Sequence, residues 1–200
     1  MQQIPQTVQI DIDLYLHVRV LISIILGLSV TRLIAGVVGF VQHPTRRAVS
    51  WIHLTWVAWT LFNVITFWWW EFRLSTISQW TFGLYFFICF YASMYYLLSA
   101  LLFPDDLAGY EGYEDYFLSR RAWFFGFVAL TQALDVIDTW VKGEEHLNSL
   151  GLEYLVRSAV FIALCAVAAK TRNRFFHAAF VAVALIYDAS YSLRYFYTVT

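Results

Sequence analysis

Residues 74–104, LSTISQWTFGLYFFICFYASMYYLLSALLFP, form an apolar run without any Asp, Glu, Lys or Arg. A second run without these charged residues, 48–70, reads AVSWIHLTWVAWTLFNVITFWWW. A helix needs about 20 predominantly apolar residues to cross the hydrocarbon core of a bilayer, and both runs exceed that length. The sequence therefore predicts a helical membrane protein.

Composition supports this prediction and excludes several classes of protein. The 200 residues are 60% hydrophobic and 14% charged, with a mean hydropathy of +0.61, whereas soluble domains are roughly 45–50% apolar and about 25% charged. A formal net charge of −1 gives no basic surface for nucleic acid. Cys89 and Cys165 lie in apolar runs and are expected to be buried, not paired or metal-bound. The sequence has no nucleophilic triad, phosphate loop or zinc-protease motif, so no enzymatic activity and no cofactor are predicted.

Six membrane-spanning helices are predicted, which makes the chain an all-α polytopic bundle with a single membrane domain over residues 1–200. The spans lie at about residues 14–41, 48–70, 80–103, 122–141, 152–169 and 175–197. The segment before the first span has no Lys or Arg, unlike a cleavable signal peptide, so this span is expected to be retained. FYAS at 90–93 resembles YDAS at 187–190, which is a weak indication of a 3+3 inverted repeat.

The basic residues of the loops predict the orientation, because cytoplasmic loops are enriched in Lys and Arg. The loops after the first, third and fifth spans contain Arg46, Arg47, Arg120, Arg121, Lys170, Arg172 and Arg174. The opposite loops contain only Arg73 and Lys142, beside acids that include Glu71. Both termini are therefore expected outside the cytoplasm, with the spans in a bacterial-type inner (plasma) membrane.

Polar residues inside the predicted spans are candidate functional residues, because charge within a bilayer is costly and rare. With a helical rise of about 1.5 Å per residue, three acids and one base fall at similar depths toward the outer side, and two amides extend the set. The set comprises Asp135, Asp138, Asp188, Arg157, Gln132 and Asn63. Asp135 and Asp138 are three residues apart and share one helix face.

Two roles are open for this set. In the first, Arg157 pairs with one or two of the aspartates and fixes the helix register, because buried charges are tolerated when paired. In the second, an acid without a counter-charge binds a proton or a cation. The set would then be the pathway of a channel or transporter for protons or a monovalent cation. Asp188, on a face with Tyr191 and Tyr195, is the first choice for the titrating residue.

The first span carries a small residue at every fourth position. The residues are Ser23, Gly27, Thr31, Ala35 and Gly39. This spacing predicts a close helix–helix contact. The partner is either a second copy in a homo-oligomer or another helix of the same chain.

Arg32 lies toward the cytoplasmic side of the first span, where no acid is expected at the same depth. Three explanations are open. Its long side chain reaches lipid phosphates, or it lines a vestibule that attracts anions, or it meets Asp105 or Asp106 of the loop after the third span. Contact with lipid phosphates is the preferred explanation.

Two further features give alternative functions. His53 and His177 lie near the cytoplasmic ends of their spans, and two imidazoles at equal depth could bind haem in a redox membrane protein. The segment 105–121 alternates acidic and aromatic residues and is expected to be a surface helix or a docking site for a cytoplasmic partner. Such a site favours a non-transporting membrane sensor, assembly factor or defence effector that acts through helix contacts.

Overall fold

The computed structural model describes the backbone of residues 6–43, 49–77 and 79–195, and the side chains of 14–43, 49–75, 77 and 79–195. Over these residues the chain forms six α-helices, and a short 3₁₀ helix, Glu71–Thr76, follows the second of them. The α-helices are α1 (Gln6–Gln42), α2 (Trp51–Trp70), α3 (Phe82–Leu102), α4 (Tyr113–Val141), α5 (Glu144–Lys170) and α6 (Arg174–Tyr195). The predicted all-α architecture is confirmed. Arg46 and Arg47, which support the predicted orientation, lie outside the described residues, as do parts of the second and sixth predicted spans.

Five helices are long and apolar enough to cross a membrane, namely α1 from Leu14 onward, α3, α4, α5 and α6. Large apolar side chains such as Ile24, Val160 and Ile186 are exposed on their outer faces, as lipid contact requires. The protein is therefore a helical membrane protein. α2 has 20 residues, but six tryptophans and several polar residues lower its mean hydropathy. The crossing of the membrane by α2 stays a prediction.

Two helices begin earlier than the sequence predicts. α4 begins at Tyr113 instead of about residue 122, so half of the segment 105–121 is helical. α5 begins at Glu144 instead of about residue 152. Gly151 breaks α5 with φ 68° and ψ −175°, a backbone conformation that glycine adopts readily. The apolar part of α5 therefore starts after this break, where the predicted span starts.

The bundle is built around α2, which contacts α1, α3, α4 and α6. α1 packs along α3, whereas α4 packs along α5. The first and third helices pair in the first half of the chain, whereas the first and second pair in the second half. This difference gives no support to the suggested 3+3 inverted repeat. Successive helices run in opposite directions. We call the end where α1 begins and α6 ends the terminal end of the bundle, and the other the opposite end.

Candidate functional site

A polar cavity of about 40 Å³ lies among α2, α3, α4, α5 and α6, in the half of the bundle nearer the terminal end. Five of the six residues predicted for the ion pathway line it. They are Asn63, Gln132, Asp135, Arg157 and Asp188. One buried water needs about 10–15 Å³, so the cavity has room for a small ion or for very few water molecules.

Arg157 of α5 lies between Asp135 of α4 and Asp188 of α6. Its Nη2 atom is 3.6 Å from Oδ2 of Asp135, and its Nη1 atom is 3.6 Å from Oδ1 of Asp188. Charge-assisted hydrogen bonds are shorter, at about 2.7–2.9 Å. The guanidinium also lies over the ring of Tyr191, with Cζ 4.6 Å from the ring centroid. One arginine is thus shared by two carboxylates and makes a close hydrogen bond to neither.

Neutral groups donate the short hydrogen bonds to these two carboxylates. The hydroxyls of Tyr154 and Tyr91 donate to Asp135 over 2.9 and 3.2 Å. The indole Nε1 of Trp59 donates to Oδ2 of Asp188 over 2.8 Å. A buried acceptor left without a donor is costly, so these aromatic donors stabilise the aspartates inside the bundle.

A second polar group lies beside the cavity at the terminal end. Nζ of Lys142 is 2.6 Å from Oδ2 of Asp138 and 2.9 Å from Oε1 of Glu71. All three side chains are at most 6% exposed. Asp138 therefore pairs with Lys142, one helical turn further along the chain, and not with Arg157. We call Glu71, Asp138 and Lys142 the lysine triad.

The charges of this buried region do not balance. Among the ion pairs of the described residues, four carboxylates share two cations. The carboxylates are Glu71, Asp135, Asp138 and Asp188, and the cations are Arg157 and Lys142. Glu71 lies beyond the end of α2, and burial together with the charge of Asp138 raises its pKa to about 8. The carboxyl group of Glu71 is therefore protonated near neutral pH.

Aromatic side chains close the opposite half of the bundle. The ring of Trp56 lies at their centre, with its centroid 5.1–5.5 Å from those of Phe124, Phe125 and Phe180. Trp56 and Phe125 are completely buried. Protein interiors packed in this way contain few voids. We call this cluster the aromatic plug, and it separates the polar cavity from the opposite end.

His53 and His177 belong to the same aromatic packing. Nε2 of His53 is 2.7 Å from the carbonyl oxygen of Leu102, and Nε2 of His177 is 3.0 Å from that of Thr171. A carbonyl only accepts, so each Nε2 donates the proton. The ring of Phe117 packs edge-on against both imidazoles, at 6.5 and 6.0 Å between centroids. Phe117 thus occupies the space between the two histidines in which a shared haem would have to lie.

The row of small residues on α1 faces away from the other helices over most of its length. A Cβ atom placed at Gly27 or Gly39 would meet no neighbouring atom within 4 Å. Thr31 and Ala35 are exposed, while Ser23 accepts a hydrogen bond from α2. Among the described residues, this exposed part of the row is not closely packed against another helix of the same chain. Contact with a second copy stays a prediction.

The preferred explanation for Arg32, contact with lipid phosphates, is wrong. Its guanidinium donates to the carbonyl oxygen of Phe103 over 2.6 and 3.1 Å and to Asp105 over 2.5 Å. The loop after α3 returns to α1 and supplies these acceptors. This agrees with the alternative explanation, in which Arg32 meets Asp105 or Asp106. In the helical part of the segment 105–121, Glu114 pairs with Arg174 of α6. The role of this segment as a docking site stays a prediction.

Sequence reasoning missed Glu71, Lys142 and the three aromatic donors of the cavity. Lys142 carried a usable signal, because Asp138 lies four residues before it on the same helix face. Glu71 follows the last residue of α2, and its position in the sequence indicates a loop residue. Nothing in the sequence distinguished Trp59, Tyr91 and Tyr154 among the 9 Trp and 13 Tyr of the chain.

Comparison with known proteins gives no relative for this chain. It matches no model of a known protein family, no curated protein and no solved structure. The geometry of the site therefore carries the functional argument alone.

Proposed function

We propose that the protein passes a small cation, a proton or a monovalent metal ion, across the membrane through the polar cavity. The proposal is supported above all by the excess of carboxylates over cations in this region, which remains when Glu71 is protonated, because Asp135, Asp138 and Asp188 still share Arg157 and Lys142. A buried charge without a partner is costly. A proton or cation that neutralises such a charge therefore binds favourably. Asp135 and Asp188 are the proposed binding residues, and Arg157 tunes both.

The proposed route begins at the terminal end, which the loop charges assign to the outer side of a bacterial inner membrane. The cation would pass the lysine triad, whose Glu71 lines the cavity, and then the amides of Asn63 and Gln132 beside the two binding aspartates. The aromatic plug closes the way to the opposite end. This closure favours a carrier that changes shape over a permanently open channel.

The exposed row on α1 supports assembly as a homo-oligomer, because lipid-facing small residues let two helices approach closely. Gly27 and Gly39 leave the space that a partner helix needs. A cysteine at Ala35 is expected to form a disulfide-linked dimer under mild oxidation in membranes. A cysteine at Val183, which is exposed on α6, is the control. Equal dimer yields at the two positions would contradict this assembly.

Ion flux into liposomes tests the proposed transport. Purified protein is reconstituted with an internal pH-sensitive dye, and a potassium gradient with valinomycin drives cation movement. Asp188→Asn and Asp135→Asn are expected to lower the flux to that of protein-free liposomes, because each removes a binding carboxylate. Glu153→Gln is the matched control. Its carboxylate pairs with Arg194 at 2.7 Å near the same end, outside the cavity.

The result that contradicts transport is flux in both aspartate variants equal to that of the parent protein. A sodium or potassium gradient at equal pH on both sides separates the two kinds of cation. Internal acidification without a metal-ion requirement identifies a proton, whereas a current that follows the metal gradient identifies a monovalent metal ion.

A further inference from the structure

A second cavity, distinct from the polar one, opens between the first half of α1 and the end of α2. It has a volume of about 320 Å³. Its inner wall is apolar and buried, formed by Val18, Ile22 and Leu74. Trp68 and Phe72 form its rim and are 44% and 46% exposed. We call this cavity the α1–α2 groove.

Arg19 is the cation at the rim of the groove. Its Cζ atom lies 5.0 Å from the ring centroid of Trp68 and 5.8 Å from that of Phe72. Among the described side chains no carboxylate forms an ion pair with Arg19. Glu71 also lines the groove, but its carboxylate binds Lys142. The aromatic rings hold the guanidinium in place, and no carboxylate of the described side chains neutralises its charge.

The depth of Arg19 matches the headgroup level of a bilayer. Arg19 lies five residues after Leu14, which in the sequence directly follows the acidic residues Asp11 and Asp13. At about 1.5 Å per residue this distance is only about 7 Å, which a long arginine side chain can span. The two tryptophans at the rim, Trp68 and Trp69, are also typical of this level. One turn before Arg19, the buried hydroxyl of Tyr15 is a second donor and has no partner among the described residues.

We propose that the α1–α2 groove binds one anionic glycerophospholipid, with its phosphate on Arg19 and the first part of an acyl chain on the apolar wall. A free anion would gain nothing from the apolar wall, and a zwitterionic lipid carries its own cation beside the phosphate. A basic residue between membrane helices attracts an anionic headgroup by its charge. The groove takes only part of one chain, and the rest of the lipid stays in the bilayer.

Native mass spectrometry of the delipidated, detergent-solubilised protein tests the proposal. The probes are phosphatidylglycerol, phosphatidylcholine with the same chains, and inorganic phosphate. Phosphatidylglycerol is expected to bind more tightly than phosphatidylcholine. Arg19→Gln should weaken phosphatidylglycerol binding about five-fold, the contribution of one basic residue to attraction for anionic headgroups. Arg194→Gln, which removes an arginine already paired with Glu153, should leave this binding unchanged.

A second variant tests the contribution of the acyl chain to lipid binding separately from that of the headgroup. Ile22→Val removes one methylene from the apolar wall and keeps both aromatic rings that lie beside Arg19, so it should weaken both lipids to the same extent. The proposal is overturned if the two lipids bind parent protein equally or if Arg19→Gln binds phosphatidylglycerol like the parent. Competition by inorganic phosphate at the concentration of the lipid would equally overturn it, because the site would then bind an anion without its chain.

Discussion

Lys142→Met is the sharpest test of how the terminal end of the bundle is held together. The substitution keeps much of the length and the apolar stem of the lysine but removes the ammonium that Glu71 and Asp138 share. In the parent protein, Nζ of Lys142 lies 2.9 Å from Glu71 and 2.6 Å from Asp138, and the lysine side chain is 1% exposed. The variant therefore leaves two buried acids without a cation.

The expected loss of stability follows from the burial of the pair. Removing one partner of a buried ion pair costs about 3–5 kcal/mol. For a chain of this size each kcal/mol shifts the melting temperature by about 2–4 °C, so Tm should fall by roughly 6–20 °C. The loss should be smaller at pH 6 than at pH 9, because a proton on Glu71 replaces part of the missing positive charge.

Glu71→Gln should behave in the opposite way. It leaves one carboxylate and one ammonium in the triad, so we expect a stability equal to or above that of the parent protein near pH 8. The pKa of Glu71 is raised from 4.5 to about 8 in the folded protein. Between these values the folded state holds a proton that the unfolded state releases. Stability therefore falls as pH rises through this window and levels off above it. Glu71→Gln should remove this dependence of stability on pH.

The assay is thermal unfolding in detergent micelles or nanodiscs between pH 5 and pH 9, followed by intrinsic tryptophan fluorescence. Lys170→Met is the matched control, because Lys170 is the other lysine of the chain and is exposed. It should change stability by no more than about 0.5 kcal/mol. Equal melting temperatures for Lys142→Met and Lys170→Met would refute the reasoning. A parent protein that gains stability as pH rises from 5 to 8 would refute the assignment of the proton to Glu71.

Three further substitutions have expected outcomes in the same assay. Gly36→Ala places a Cβ atom 2.3–2.4 Å from ring atoms of Phe103 and should destabilise the protein by about 1–3 kcal/mol, whereas Gly39→Ala, where the Cβ meets nothing within 4 Å, should be neutral. Asp105→Asn removes the charge that Arg32 binds, but Asp105 is 89% exposed. The substitution should therefore cost less than about 1 kcal/mol, and a loss of several kcal/mol would contradict this.

The helices could be predicted from the sequence because their apolar runs are long and nearly free of charge. The start of α4 could not, since its first turns carry charged residues that resemble a loop. In the structure Glu114 of this stretch binds Arg174. Tyr113, Tyr116 and Phe117, three and four residues apart, place one face of the helix against the bundle. Polar composition alone does not distinguish such an extended helix end from a loop.

Depth along the helix was enough to bring Asp135, Arg157 and Asp188 together, because the rise per residue fixes height in helices that run across a bilayer. It could not say which acid Arg157 serves, because height leaves rotation about the helix axis undetermined. Depth along the helix also did not identify Glu71 and Lys142, which lie just past the ends of α2 and α4. Their positions in the sequence indicate loops in water, yet neighbouring helices bury them.

The donors around the cavity bear directly on whether it can change its charge. The closest contacts of Asp135 and Asp188 come from neutral hydroxyl and indole groups, while Arg157 stands 3.6 Å away from both. A protonated carboxyl group still has a carbonyl oxygen that accepts such hydrogen bonds. Uptake of a proton therefore leaves the bonds to Tyr154 and Trp59 intact and weakens only the longer ion pairs. A network held mainly by guanidinium bonds would lose its principal contacts on protonation, as a purely structural ion pair does. The observed arrangement keeps α2 joined to α6, and α4 joined to α5, in both charge states, as a site that repeatedly binds and releases a cation would require.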